Sequence, residues 1–145
     1  MPAIQPFGAH YEAALIDRIL WRLGVRPAGV ERDKALIGAM EAALMEKTVE
    51  IDRFFFDWAG GRRRVPSLAD PLYETPAFAD FKALAADYAP ARPLDHAYWS
   101  DQAPCSMHIG EVEAIWSRID EADDWSALNA KIAAVRRMGE AMAAA

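Results

Sequence analysis

Apolar positions recur at helical spacing along most of the chain. Tyr11, Leu15, Ile19 and Leu23 fall four residues apart, with Ile16 and Leu20 widening the stripe, which predicts a helix over about 8–23. Gly24 stands where a C′ residue closes a helix, and Pro27 prevents its resumption. Trp21 lies off the stripe and is free for a second contact. Leu36, Ile37, Met40, Ala43 and Leu44 define a second helix over about 31–47. A break at Thr48 to Glu50 leads to a short third helix, about 50–59, which stops at Gly60-Gly61. The chain then reads as loop through Asp70-Pro71, and Thr75 as N-cap with Pro76 at N1 opens a fourth helix. Phe78, Phe81, Leu84, Ala85 and Tyr88 share its face, and Pro90 and Pro93 end it. Val112, Ile115, Trp116 and Ile119 mark a buried stripe on a fifth helix, about 110–121. Asp123-Asp124 forms a turn that caps a sixth, about 125–142, whose buried stripe is Leu128, Ile132, Val135 and Met142. β-branched residues never alternate over four positions, so no strand is expected.

The fold class that follows is all-α: one compact bundle-like domain, 1–145, of about six helices, with an irregular loop at about 89–109. A loop of that length is functional, disordered or packed by its own side chains, and Tyr98 and Trp99 favour packing. The run Ile51 to Trp58 is the densest feature: Phe54, Phe55, Phe56 and Trp58 put four large rings into five positions. One stripe cannot hide them all, so at least one must meet a second element or a body outside the chain. Core packing accounts for two or three rings, and a remaining exposed one marks an interface. Phe54, Phe56 and Trp58 are the candidates for such a surface. Arg62, Arg63 and Arg64, read as an exposed connection, join them because guanidinium groups suit phosphates and carboxylates.

Composition narrows the function classes. A chain of 145 residues supports one core. A net charge of −6 and a pI near 5.0 argue against a nucleic-acid footprint and against an anionic membrane surface. A single cysteine permits no internal disulfide and fits a reducing compartment. No apolar run approaches the ~20 residues of a membrane span, and residues 1–10 do not read as a signal peptide, so a cytoplasmic location is the default.

Candidate chemistry is sparse. His96, Cys105 and His108 lie in the irregular loop, and Cys-x-x-His is a spacing that zinc uses, with His10 or Asp101 as a fourth ligand. Structural zinc sites show two ligand pairs where this sequence has one, and a buried thiol with two hydrogen-bonded histidines explains the residues more simply. No metal is therefore expected. Cys105 precedes a helix and has His108 three residues on, which suits a lowered thiol pKa, but no oxyanion motif or third partner accompanies it. Glu12, Asp17, Glu41, Glu46, Glu111 and Glu113 read as solvated faces. Arg136-Arg137 suits the negative end of its helix. There is no Glu-x-x-His pair and no phosphate loop. No catalytic residue is assigned.

Three ordered stretches carry a family resemblance. Phe7-Gly8-Ala9-His10-Tyr11 followed by Leu23-Gly24-Val25 resembles a Phe-x-x-x-Tyr helix with a Leu-Gly-Leu-like turn. Asp33-Lys34-Ala35-Leu36-Ile37, then Leu44-Met45 and Ile51-Asp52-Arg53-Phe54-Phe55, resembles an Asp-x-x-Leu-Ile helix, a Leu-Met pair and an Asp-Tyr-Thr-x-Phe-Phe segment. Glu113-Ala114-Ile115 through Asp124-Trp125-Ser126-Ala127-Leu128 resembles an Ala-Ile helix and a Gly-Asp-Tyr-Ser-x-Leu segment. In that order they are similar to the C-terminal helical region of the selenoprotein O family, pseudokinase-fold enzymes that transfer AMP from ATP to protein hydroxyls. Where that family approaches the fifth helix with Arg-Asn-Tyr, this chain has Cys105-Ser106-Met107-His108-Ile109, and its tail has no redox cysteine. The resemblance implies an accessory region that packs on a nucleotide-binding core of the same or another protein. ATP and Mg²⁺ would belong to that core, whose motifs lie upstream, so no catalytic residue carries over. The competing expectation is a free-standing helical interaction module; a third is a small zinc or thiol protein using Cys105 and His108.

Overall fold

Every regular element among the described residues is a helix. The computed structural model describes residues 4–143 apart from residue 65, with side chains from residue 7 onward. α1 is Ile4–Leu23, α2 Val30–Leu44, α3 Ile51–Asp57, α4 Asp70–Tyr73, α5 Ala79–Ala85, α6 Ile109–Ala122 and α7 Ser126–Ala143. Tighter 3-10 turns occupy Pro76–Phe78 and Ala97–Ser100. The all-α class holds, with seven α-helices among the described residues where about six are expected. The chain divides into two compact units, Met1–Leu94 and Asp95–Ala145.

In the first unit the glycine stops do more than end helices. Gly24 has φ +72° and closes α1: its N–H donates to Trp21 O at 3.1 Å, and the Val25 N–H reaches Leu20 O at 3.1 Å. This is the paired 6→1 and 5→2 arrangement that satisfies a helix C-terminus, with Val25 and Leu20 both buried as its apolar contact. Gly60 (φ +82°) donates to Leu23 O at 2.8 Å, and Gly61 (φ +77°) to Trp58 O at 2.8 Å. A Cβ on Gly61 would stand 3.0 Å from Val25 Cγ1. Ala91 N–H donates to Gly24 O at 2.8 Å and Arg26 N–H to Ala89 O at 2.9 Å, beside an isolated antiparallel bridge, Val25 to Pro90. Three chain breaks that look independent in sequence therefore meet at one backbone junction.

That junction lets α3 sit inside. Phe54, Phe55, Phe56, Asp57 and Trp58 are five consecutive buried residues, while the start of the helix meets solvent at Ile51, 57% exposed. Phe54 contacts Phe81 at 5.0 Å and Phe78 at 6.1 Å between ring centroids. Trp58 stands edge-on to Phe81 at 5.0 Å and to Tyr73 at 5.8 Å. Such pairs add about 0.5–1.5 kcal/mol each beyond area burial. Leu36, Ile37, Met40 and Ala43 of α2 cover this cluster. Two sequence expectations need correction here. Tyr11 and Leu15 of α1 are exposed, because burial on this helix is confined to Ile16, Ile19, Leu20 and Leu23 in its second half. Thr75 opens its helix, but as a 3-10 turn, and its hydroxyl donates to Leu72 O at 3.4 Å instead of capping.

In the second unit α6 ends at Asp123 in the left-handed region (φ 49°), and Asp124 Oδ1 accepts the Ser126 N–H at 2.9 Å, capping α7 as expected. The preceding loop is packed by its own rings, since Tyr98 and Trp99 are buried edge to face at 5.1 Å. The α6 stripe departs from expectation. Ile115 and Ile119 are half-buried, while Val112 and Trp116 are exposed, as are Ile132 and Val135 on α7. A helix pair with one loop covers only one side of each helix.

Phe54, fully enclosed, is expected to cost about 3–5 kcal/mol on truncation to Ala, read from urea unfolding. A loss below about 1 kcal/mol would show that the core closes over the gap. Gly61→Ala is expected to lose about 1–2 kcal/mol, because a Cβ at that left-handed φ is strained before it meets Val25.

Candidate functional site

The residues proposed as an aromatic surface lie inside. Phe54, Phe56 and Trp58 are 0%, 6% and 6% exposed, so the ring excess is absorbed by packing and offers no exposed ring. Stripe counting fails here because the second half of this seven-residue helix is buried at every successive position. The arginine triplet also separates. Arg62 is exposed. Arg63 bonds Asp57 O at 3.1 Å, Ser67 Oγ at 3.2 Å and the Asp70 carboxylate, with its guanidinium 5.0 Å from the Tyr73 ring centre. Arg64 donates to Phe56 O at 2.5 Å and lies 5.4 Å from that residue's ring centre. Two of the three arginines thus tie the connection to α3, where the sequence reads as an exposed loop.

Two buried carboxylates escaped the sequence reading. Asp57 is 4% exposed; its Oδ2 accepts from Arg53 Nε at 2.9 Å and from the Tyr73 hydroxyl at 2.8 Å, and Arg63 lies 3.4 Å from Oδ1. Asp33, also 4% exposed, accepts the Ala28 N–H at 3.0 Å and the Tyr88 hydroxyl at 2.8 Å on one oxygen. Each acid holds a tyrosine from a distant element. Asp57 has partners on both oxygens, which makes it a structural anchor and a poor general base. The only earlier sign was the polar Asp57 inside an apolar run, a common helix-end residue. Burial, followed by the hydrogen bond to the carboxylate, raises the Tyr73 and Tyr88 phenols well above their usual value.

The zinc and thiol candidates are held in local contacts. His96 Nδ1 accepts the Tyr98 N–H at 3.1 Å, capping a 3-10 turn. Cys105 is a half-buried free thiol whose N–H donates to the Tyr98 hydroxyl at 3.2 Å. His108 occupies the N-cap position of α6 and is exposed. Asp101 is bidentate to Arg137, which holds its carboxyl below the usual carboxylate range. His10 is exposed on α1. No group of three metal-ligating side chains gathers among the described residues. A cleft of about 590 Å³ lies between this loop, α6 and α7, floored by Ala114, Ala127, Ala130 and Ala134. Its cations are occupied, Lys131 with Glu111 at 2.7 Å and Arg137 with Asp101.

Among the exposed apolar residues, two sets line up at helical spacing on single helices. On α1, Phe7, Tyr11 and Leu15 are 69%, 61% and 42% exposed at spacings of four, with Phe7 and Tyr11 stacked at 6.3 Å. On α6, Ile109, Val112 and Trp116 are 73%, 40% and 64% exposed. No described helix is long and apolar enough to cross a membrane. Set beside known proteins, the chain matches no protein-family model, no curated protein and no solved structure.

Breaking the Asp57 cluster by Asp57→Asn is expected to destabilise the fold by about 3 kcal/mol, since it leaves arginine charge uncompensated near the core. The tyrosines set the alkaline limit. Their raised folded pKa means that the neutral phenols contribute fully below about pH 10, the unfolded value. Above it the unfolded chain releases protons that the folded chain keeps, so stability falls with rising pH. Urea titrations between about pH 8 and pH 11 should show this fall, flattened in Tyr88→Phe.

Proposed function

We propose that this chain is a non-catalytic helical region that packs on a larger folded body. One observation carries the reading: the apolar stripe Phe7, Tyr11 and Leu15 stands in solvent on the first half of α1. Large rings stacked in water are costly unless another surface covers them. The stripe includes the Phe7-to-Tyr11 stretch that resembles the selenoprotein O-like helical region. On that resemblance the covering body is a nucleotide-binding, AMP-transferring core, in the same protein or a second one, in a cytoplasmic setting. ATP and Mg²⁺ would be bound by the core. Phosphoryl chemistry needs positioned cations and phosphate clamps, and the geometry around Asp33 and Asp57 supplies neither.

A second reading, a free-standing interaction module, is favoured by the separate exposed stripe on α6.

Calorimetric titration of the chain with ATP–Mg²⁺ is expected to give no binding heat. An apolar dye such as anilinonaphthalene sulfonate should bind, and Tyr11→Ser with Leu15→Ser should weaken it without loss of helical circular dichroism. Stoichiometric ATP–Mg²⁺ binding, or dye binding untouched by the pair, would overturn the accessory reading.

A further inference from the structure

The α6–α7 hairpin carries one apolar face flanked by charges of opposite sign on its two helices. Glu111, Ala114 and Arg118 of α6, with Ala127, Ala130 and Ala134 of α7, line the cleft between them. The exposed stripes, Val112 and Trp116 on α6 and Ile132 and Val135 on α7, stand roughly 120° round each helix from those lining positions. The helices run antiparallel: the turn is short, Lys131 reaches Glu111, and Arg118 reaches Asp124. Rotation in the same sense on antiparallel helices brings both stripes to the same side of the hairpin. The result is a continuous apolar face, two helices wide, opposite the side that the Tyr98–Cys105 loop covers.

Charge selects the occupant. α6 contains four acidic residues and one arginine; α7 contains three cations and one glutamate. Glu113 and Asp120, at the outer edge of the α6 stripe, form no ion pair among the described residues, nor does Arg136 at the outer edge of the α7 stripe. Glu113 lies eleven residues before Asp124 and Arg136 twelve after it, so the two stand at matching heights along the hairpin.

We propose that this face binds a second copy of the chain, α6 of each copy lying on α7 of the other about a two-fold axis parallel to the hairpin. That arrangement sets Trp116 against Ile132 and Val135 of the second copy and Glu113 beside Arg136 of the second copy, twice over by symmetry. The alternative two-fold, α6 on α6, runs the two helices antiparallel, sets Glu113 near Asp120 of the second copy, and is disfavoured by like charge. The inference rests on the second reading above, that the α6 stripe is an interaction surface, and is independent of the accessory reading. α6 is only about 21 Å long, so the face is small and the dimer is a micromolar one.

Sedimentation velocity from about 1 µM to about 300 µM tests it. Expected is a reversible monomer–dimer equilibrium. Trp116→Glu, at an exposed site where folding should survive, is expected to raise the dissociation constant at least about tenfold. Glu113→Arg and Arg136→Glu should each weaken the dimer, and the two together should restore it. A monomer throughout that range, or a dimer indifferent to Trp116→Glu, overturns the proposal. A monomer whose anilinonaphthalene sulfonate binding still falls with Trp116→Glu sinks only the second copy as occupant. A monomer whose dye binding is unchanged sinks the interaction reading of the face as well.

Discussion

The first unit depends on enclosing the second half of α3, where Phe54 to Trp58 are buried in succession. α3 is seven residues, about two turns, too short to persist alone in water. Its stability comes from neighbours, and its rings require them in every direction. α2 supplies one wall, Phe78 and Phe81 another, Tyr73 a third. The enclosure works only because the chain passes close at its ends. Gly60 and Gly61 take left-handed φ values and leave room for Leu94 Cδ1 and Val25 Cγ1, which would stand 2.6 and 3.0 Å from an added Cβ. The aromatic run and the glycine pair are thus one device: the rings need close walls, and the glycines let the walls close.

Asp57 shows how the enclosure tolerates charge. An acid among phenyl rings would be expelled unless paired and hydrogen-bonded. Arg53, Arg63 and Tyr73 compensate it from three directions, and Arg63 continues to Asp70 and Ser67. Polar contacts thereby fix the register of α4, whose four residues have little helical stability of their own. Asp33 does the same at the other side of the core, joining the start of α2 to Tyr88, 55 residues away. Among the described residues the second unit has no such buried acid. Its ordering contacts lie near the surface, Asp101 with Arg137 and Lys131 with Glu111, and such pairs contribute little.

Helix existence was legible wherever a stripe ran for three turns, as on α1, α2, α6 and α7, because periodicity reports one-sided burial directly. It failed in three physical situations. α4 is a single turn, Asp70 to Tyr73, with no period to read. From Phe54 to Trp58 burial falls at every successive position, so a one-stripe argument predicts an exposed ring where none exists. On α6 and the first half of α1 the stripe is real, but no described neighbour covers it. A stripe states that burial is wanted and does not say whether the partner is in the same chain. The candidate site was less legible. The Arg63–Asp70 and Tyr73–Asp57 contacts join residues whose pairing no local spacing announces, and His96, Cys105 and His108, close in sequence, turn to separate local tasks.

The ties on Arg63 and Arg64 change how the connection after Gly61 meets other molecules. Three consecutive arginines normally invite a trypsin-like protease, whose specificity pocket must swallow an extended guanidinium. Here Arg62 alone of the three is exposed, while Arg63 and Arg64 are folded back onto the backbone of α3. Cutting after either would first require pulling its side chain off the Asp57 and Phe56 carbonyls at the end of α3. Those arginines thus serve as latches on a segment that, by composition, looks like the easiest place to open the chain.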